Sequence, residues 1–395
     1  MNRRRTIGLF GFGTVGRALY DVLAESRLEN VSIKRICVRD INKPRGVDAL
    51  FTDNADDIFN DSDINLIVEL IDDAAASYAI VRRALEARIP VVTGNKKMLA
   101  HHLQELVALQ ERNATAMLYD ASACGSIPVI RNLEVYYDND LLISVKGILN
   151  GSTNFILSKI FNENMTYPDA LALAQRLGFA ESDPSLDIEG LDSLFKLVII
   201  TLHAFGRYVE PERIFVYGIP TMNDDDIRFA NEKGRRIKLV GHVEKLGDGR
   251  IIMSVLPQLL SRDKYIYGIE DEFNGVVIKG KYYHKQFMIG RGAGGYPTGS
   301  AVLSDITACM YGYRYEYKKL NSEPVPDYTD DFVFRIYLRY GSDEDLALFR
   351  FVRISESYTS QTSNYVVGDI NLRDLYAIKD LIRGRNLFLA AYPCD

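Results

Sequence analysis

Residues 6–38 read TIGLFGFGTVGRALYDVLAESRLENVSIKRICV, and their reading decides how the first part of the chain folds. TIGLF (6–10) is a short apolar run. Gly11, Gly13 and Gly16 follow as G-F-G-T-V-G, and RALYDVLAES continues with helical amphipathicity. A second apolar run, VSIKRICV, ends at Arg39-Asp40. The spacing predicts strand, tight glycine turn, helix, strand, the context in which G-x-G-x-x-G marks a dinucleotide-binding turn. Gly11 permits the turn, Gly13 lets backbone approach a pyrophosphate, and Gly16 lets helix and strand pack closely. With Phe12, Thr14 and Val15 they make a candidate nucleotide loop, whose helix N-terminus offers N–H groups and a positive dipole end.

The end of the second strand bears on which dinucleotide. An acid there holds the ribose hydroxyls of NAD, whereas an arginine there meets the 2′-phosphate of NADP. Arg39 and Asp40 are both present, and Lys43 and Arg45 follow. The stretch leans to NADP and leaves NAD open; an ordinary charged loop is the competing reading.

Apolar runs at 64–71, 89–95 and 115–121 alternate with helical patterns at 74–87 and 98–113. Alternating β and α with apolar strands predicts an α/β fold, a Rossmann-type doubly wound parallel sheet. It should occupy about 1–130 and be completed by about 300–322. Polar alternation and long helices after residue 130 predict an α+β domain over about 131–300. The segment 289–305, IGRGAGGYPTGSAVLSD, is rich in small residues and then turns helical. From about 325 to 395 the pattern is βαββαβ-like, which suggests a separable C-terminal module.

Composition excludes several classes. The chain has 395 residues with 47% hydrophobic and 25% charged, which is the balance of a globular protein of two or three domains. A net charge of -6 argues against a nucleic-acid or anionic-membrane partner. No apolar run approaches a membrane span. The start, MNRRRTIGLFGFG, is basic then apolar, but glycines interrupt it and it runs into the nucleotide motif, so a cytoplasmic location is expected. Cys37, Cys124, Cys309 and Cys394 are scattered, and the five histidines show no metal-ligand spacing.

Chemistry concentrates elsewhere. LGFAESDPSLDIEGLDSLFK (177–196) gathers Glu181, Asp183, Asp187, Glu189 and Asp192 ahead of an apolar helix, LDSLFKLVIITLHAF. Asp192 and Lys196 are four apart, so they share a helix face among leucine, isoleucine and phenylalanine. An acid and an amine on such a helix are costly unless paired and used; the bland alternative is a dipole-favoured helix start with one i,i+4 pair. Thr93-Gly94-Asn95-Lys96-Lys97 follows a parallel strand, where ligands bind, and two lysines at a helix N-terminus are electrostatically unfavourable. TyrAspAlaSerAlaCysGlySer (119–126) supplies small residues, with Cys124 either packing or a nucleophile. Gly147–Asn154, GILNGSTN, is a strand turning into a helix whose N–H groups suit a carboxylate.

Taken in order, GFGTVG, TGNKK, ASACGSIPVI, GILNGSTNFIL, GFAESDPSLDIEGLDSLFK and GAGGYPTGSAVLSD resemble the homoserine dehydrogenase family across roughly 6–310. The resemblance implies reversible reduction of L-aspartate 4-semialdehyde to L-homoserine with NAD(P)H, in threonine, methionine and isoleucine biosynthesis. It implies that the domain at 131–300 is both catalytic and dimerising, in a homodimer or homotetramer, and that the C-terminal module is ACT-like. By motif, Lys196 is the implied proton donor and acceptor, Asp192 holds and tunes it, and Lys96 positions substrate against the nicotinamide. Glu181 is the implied partner of the substrate ammonium, with Asp187 nearby, and Gly151 and Thr153 line the pocket. Ile71 and Gly292 join the implied nucleotide contacts. A sodium ion is implied at Asp120, Ala123, Gly125 and Ile127. The family usually has glutamate at Asp120 and glycine at Ser126, and a glycine-rich pair where Ile71-Asp72-Asp73 stands here.

Two other functions compete. One is an aldehyde dehydrogenase working through a Cys124 thiohemiacetal, which needs a histidine base close to the thiol. The other is a nucleotide-binding regulator whose C-terminal region senses an amino acid; the Lys96, Asp192 and Lys196 set weighs against it.

Overall fold

The computed structural model describes residues 4–139, 141–322 and 324–393, and Cys394 lies outside them. Contacts divide the chain into two compact units. One comprises the chain up to Asp138 with Arg291–Lys318; the other comprises Asn139–Gly290 with Lys319 onward.

In the first unit, β1 (Arg5–Phe10), β2 (Val31–Cys37), β3 (Phe51–Thr52), β4 (Leu66–Glu69), β5 (Val91–Thr93) and β6 (Met117–Leu118) form one sheet. Its order is β3-β2-β1-β4-β5-β6, and the neighbours pair in parallel. The direction of winding reverses between β1 and β4, which is where open α/β sheets bind ligands. Ile7, Leu9, Ile67, Val68, Val91 and Val92 are fully buried, so these strands read as continuous apolar runs. Helices Thr14–Glu25, Ala74–Glu86 and Lys96–Asn113 cover the faces. The small-residue segment has its own task. A Cβ on Gly299 of helix Gly295–Met310 would stand 2.9 Å from the backbone nitrogen of Leu19, so glycine there lets this helix press against Thr14–Glu25. The strand expected over 115–121 is shorter, only Met117–Leu118, because Asp120–Ser122 winds into a 3₁₀ turn.

In the second unit, β7 (Leu142–Ile148), β8 (Phe215–Val216), β9 (Arg236–Lys245), β10 (Ile251–Leu260), β11 (Phe273–Gly280), β12 (His284–Arg291), β13 (Val333–Tyr340), β14 (Phe351–Thr359), β15 (Asn364–Asn371) and β16 (Phe388–Ala391) make a mixed sheet. The order is β12-β11-β7-β9-β10-β16-β13-β15-β14, with β8 beside β10. Helix Leu191–Phe205 has every residue but its first buried, which is why it is apolar all round.

The unit boundary falls at 138 rather than 130, and the chain returns to the first unit at Arg291 rather than near 300. The C-terminal region differs more from the expectation of a separable module. It does run β-α-β-β-α-β, with helices Asp343–Ala347 and Leu372–Ala377. Yet β16 pairs in parallel with β10 at Gln258 and Ala391, so its strands extend the same sheet. Tyr337, Val367 and Phe388 share a core with Phe155, Phe229 and Ile237. A second core is built mostly from the region itself, with Phe334, Ile336, Leu338, Ile370 and Leu389, and is completed by Phe215, Ile252 and Leu256, so the region has apolar packing of its own and is joined to the rest of the unit through both cores.

Candidate active site

In the second unit the site grows from the junction of β7 and helix Gly151–Glu163. Asn150 caps that helix, its Oδ1 accepting the Thr153 N–H at 2.8 Å. The amide nitrogen of Asn150 points the other way and donates to two acids, Asp187 Oδ1 at 2.6 Å and Asp192 Oδ2 at 2.8 Å. Asp192 opens helix Leu191–Phe205, behind Gly190, whose φ of 89° favours glycine. One turn on, Lys196 Nζ donates to Asp192 Oδ2 at 2.7 Å and to the Leu149 carbonyl at 2.7 Å. Asp192 and Lys196 are each 5% exposed. Taking such a pair from water costs several kcal/mol per ion unless attraction and further hydrogen bonds offset it, and here Asn150 and Leu149 supply those bonds. Among the described residues the ammonium meets no third acceptor. Burial, reinforced by the Asp192 charge, raises the Asp187 carboxyl above the usual range, against the pull of Asn150.

The other expected substrate residues are placed unevenly. Gly151 is required by crowding: a Cβ there would stand 2.7 Å from the Glu272 carbonyl oxygen. Thr153 is buried, and its N–H and Oγ1 both turn to Asn150 Oδ1, so it holds the cap. Glu181 is exposed, and Gln175 fixes its backbone by donating to its carbonyl oxygen at 3.1 Å. Ser152 Oγ anchors the start of the same loop on the Phe179 carbonyl at 2.5 Å.

In the first unit the nucleotide loop fits its ligand. Gly11 has φ 92°, and a Cβ on it would meet the Leu70 carbonyl oxygen at 2.5 Å. A Cβ on Gly16 would meet the Gly11 carbonyl oxygen at 2.3 Å, whereas one on Gly13 would meet nothing within 4 Å. The middle glycine therefore faces open space, where a pyrophosphate approaches backbone. Helix Thr14–Glu25 has no side-chain cap and no acid in its first turn, so its N–H groups remain for an anion. Thr14 is exposed and Phe12 and Val15 are half-buried beside it. Arg39 and Asp40 are exposed past β2, and Arg45 is spent on the Asp40 and Lys43 carbonyls.

Lys96 is half-buried at the start of helix Lys96–Asn113, behind the Asn95 cap, whose Oδ1 accepts from the Met98 N–H at 2.9 Å. Asn95 also donates to the Ile71 carbonyl at 3.0 Å. Ile71 in turn donates its N–H to Glu69 Oε1 at 2.7 Å. Glu69, fully buried at the end of β4, also accepts from Ser77 and Thr93 at 2.5 and 2.6 Å. Burial pushes its carboxyl up, and those three donors pull it down. Sequence reading passed over Glu69; its only signal is an acid ending the apolar run LIVE.

Asp120 does not present a free carboxylate. Its Oδ1 accepts from the Ile130 and Arg131 N–H groups at 2.9 and 3.1 Å, capping helix Val129–Val135, and its own N–H goes to Asp305. Ile127 already offers its carbonyl to the Val129 N–H at 2.7 Å. Cys124 and Gly125 form a left-handed turn (φ 62° and 54°) packed on Gly292, with Ala123 buried before it. Among the described residues no group of three or more histidines, cysteines or acids could hold a metal, and no helix is long and apolar enough to cross a membrane.

Known proteins agree with this geometry. The family model for homoserine dehydrogenase matches residues 128–307, and that for the homoserine dehydrogenase NAD binding domain matches 11–120. A homoserine dehydrogenase of Bacillus subtilis is 33% identical over 353 residues, 84% of this chain and 81% of its own. The chain belongs to the homoserine dehydrogenase family. Its fold is shared with a homoserine dehydrogenase from Thiobacillus denitrificans, at TM-score 0.86 and 27% identity over 98% of both chains. A hyperthermophilic archaeal homoserine dehydrogenase mutant in complex with NADPH matches at TM-score 0.68 and 29% identity, over 79% of this chain and 99% of its own. The protein is thus an NAD(P)-dependent oxidoreductase of the CH–OH group that interconverts L-aspartate 4-semialdehyde and L-homoserine, in amino-acid biosynthesis.

Proposed function

We propose that Lys196 is the proton donor and acceptor of this homoserine dehydrogenase and that Asp192 holds it. The observation that carries the proposal is the buried Lys196 ammonium with two donors fixed, on Asp192 and Leu149, and the third unspent. A nicotinamide dinucleotide, when bound, supplies or accepts the hydride. During reduction negative charge grows on the aldehyde oxygen, and the Lys196 ammonium stabilises it and delivers the proton, leaving a neutral amine and the homoserine hydroxyl. In oxidation the amine takes that proton back. Asn150 keeps Asp192 and Asp187 in place, and Asp187 with the exposed Glu181 provides negative charge suited to the substrate ammonium. Gly151, with Thr153 setting the cap beside it, keeps backbone close on the pocket side. Lys96, on a rigid cap tied to Ile71, is suited to orient substrate.

The first unit holds the coenzyme through Gly11, Phe12, Gly13, Thr14, Val15 and Gly16, with Ile71 and Gly292. Arg39 favours NADP over NAD. A sodium ion enters the proposal only as a structural cation on the backbone carbonyls of Ala123, Gly125 and Ile127. The Asp120 carboxylate fits that role poorly because it is spent as a helix cap, and no step passes through a cation. The βαββαβ order supports an ACT-like reading of residues 325–395. Family membership supports a homodimer or homotetramer in the cytoplasm.

The test is initial rates with L-homoserine and either coenzyme, without phosphate or coenzyme A. Turnover is expected with both, better with NADP. Arg39→Ala should raise KM for NADP about tenfold, the scale of one charge-assisted contact, and leave KM for NAD unchanged. No turnover with either coenzyme overturns the proposal.

A further inference from the structure

Asn274 lies one residue into β11, whose register pairs Gly275 with Ile148, so Asn274 comes beside Leu149. It is fully buried. Its Nδ2 donates at 3.0 Å to the Leu149 carbonyl, the same oxygen that receives Lys196 Nζ at 2.7 Å. Its Oδ1 is buried with no hydrogen-bond partner. Reversing the amide would set two oxygens against each other, so the orientation is fixed by the carbonyl. A polar side chain with an orphaned acceptor is poor for stability in an apolar strand that leucine or valine would fill. Nothing about folding calls for an amide there, and its one bond goes to the anchor of the reactive lysine.

We propose that Asn274 is a positioning residue for Lys196, a step that rests on the proton-transfer reading above. A buried carbonyl left without a donor is costly. Were Lys196 the sole donor to Leu149, turning its ammonium toward the substrate oxygen would orphan that carbonyl. Asn274 stays on Leu149 throughout, so the oxygen keeps a partner while Lys196 exchanges its proton. The device therefore acts on turnover and on the protonation of Lys196 and leaves coenzyme binding alone.

The full-length enzyme tests this with Asn274→Ala and Asn274→Ser, measured with homoserine across pH. Loss of the Asn274 donor should lower kcat about tenfold, a fraction of what a general acid–base group supplies. It should move the limb of the kcat profile that reports Lys196, with Asp192 and Asp187 unchanged beside it. KM for the coenzyme should not change. Asn274→Ser, which restores a donor of smaller reach, should recover part of the turnover and remains usable if the alanine variant fails to fold. A lowered melting temperature with parental kcat and pH profile in either folded variant would make Asn274 merely structural and overturn the proposal. Lys196→Ala is run alongside. If that variant keeps its turnover, the reading of Lys196 itself falls; if it is dead while the Asn274 variants behave as the parent, only the role of Asn274 is lost.

Discussion

Two buried ion pairs in the second unit look alike by burial and differ in what they leave over. Asp226 and Arg339 lie 2.9 Å apart and are 0% and 3% exposed. The Asp226 carboxylate also accepts from Tyr337 Oη at 3.0 Å and from the Asn223 N–H at 2.8 Å. Arg339 spends its other nitrogens on the Thr221 carbonyl and the Asn386 side chain. Every arm of that planar fork has an acceptor, which is how an arginine serves structure. Asp192 and Lys196 are as deeply placed, but the cation is a lysine with a proton to spare, next to an acid held partly against its charge and an amide with an empty acceptor. A saturated pair fastens a core. An unsaturated one, fixed by Asp192 and the Leu149 carbonyl with the Asn150 and Asn274 amides around them, is equipped to exchange a proton.

The first way to break this comparison is at Lys196. Lys196→Ala is expected to lower turnover by about 10²–10⁴-fold, the span of general acid–base catalysis, with coenzyme binding retained. Steady-state rates together with a coenzyme-binding titration check it. A folded variant within about threefold of the parent lies far outside that span and removes the lysine from the mechanism.

The second operates on the saturated pair, where the effect should appear in stability. Arg339→Ala leaves Asp226 buried without its cation, where burial already pushes the carboxyl up to about 6, and breaking such a pair costs about 3–5 kcal/mol. Denaturant unfolding should show that loss, while the folded fraction turns homoserine over at close to the parental rate. A stable Arg339→Ala enzyme with collapsed turnover would reverse the roles assigned to the two pairs. Since Arg339 ties β13 to Thr221 and Asp226, the same experiment shows how far residues 325–395 are bound into the second unit.

What the sequence made legible follows from how local each constraint is. GFGTVG was readable because three glycines at fixed spacing answer steric demands within one turn, and Gly11 and Gly16 do have backbone where a Cβ would go. The helix Leu191–Phe205 was readable because an acid and a lysine four apart stand out in an apolar run. The fused C-terminal region was not. FVFRIYLRY and NLFLAAY carry good strand patterns, but nothing in them says that Tyr337 stacks on Phe229 or that Phe388 joins the same core as Phe155, associations that join distant stretches of chain. Arg339 alternates with apolar neighbours as a solvent-facing residue would, and only the fold buries it. Asn274 and Glu69 escaped for the same reason. Each is a polar residue set among apolar or small neighbours, and its meaning lies in a partner from another strand or helix.

The smallest effect is expected at Cys124, which sharpens the comparison from outside both pairs. Its thiol is fully buried, and its backbone sits at φ 62°, a conformation L-residues adopt at a cost of roughly 1–2 kcal/mol. A nucleophile needs access, and a fully buried residue in a tight left-handed turn packed on Gly292 is there for shape. Cys124→Ser keeps the size and leaves the Lys196 proton path untouched, so specific activity should remain within about twofold, the range of variants that bear on no reacting group. Cys124→Gly should relieve the turn and offset the lost packing, leaving the melting temperature near the parental one. Rates and thermal melts decide both. A folded serine variant without activity, together with a substrate adduct on Cys124 in the parent seen by mass spectrometry, would move the chemistry from a proton carried by lysine to a thiohemiacetal, and neither ion pair would then be the centre of the reaction.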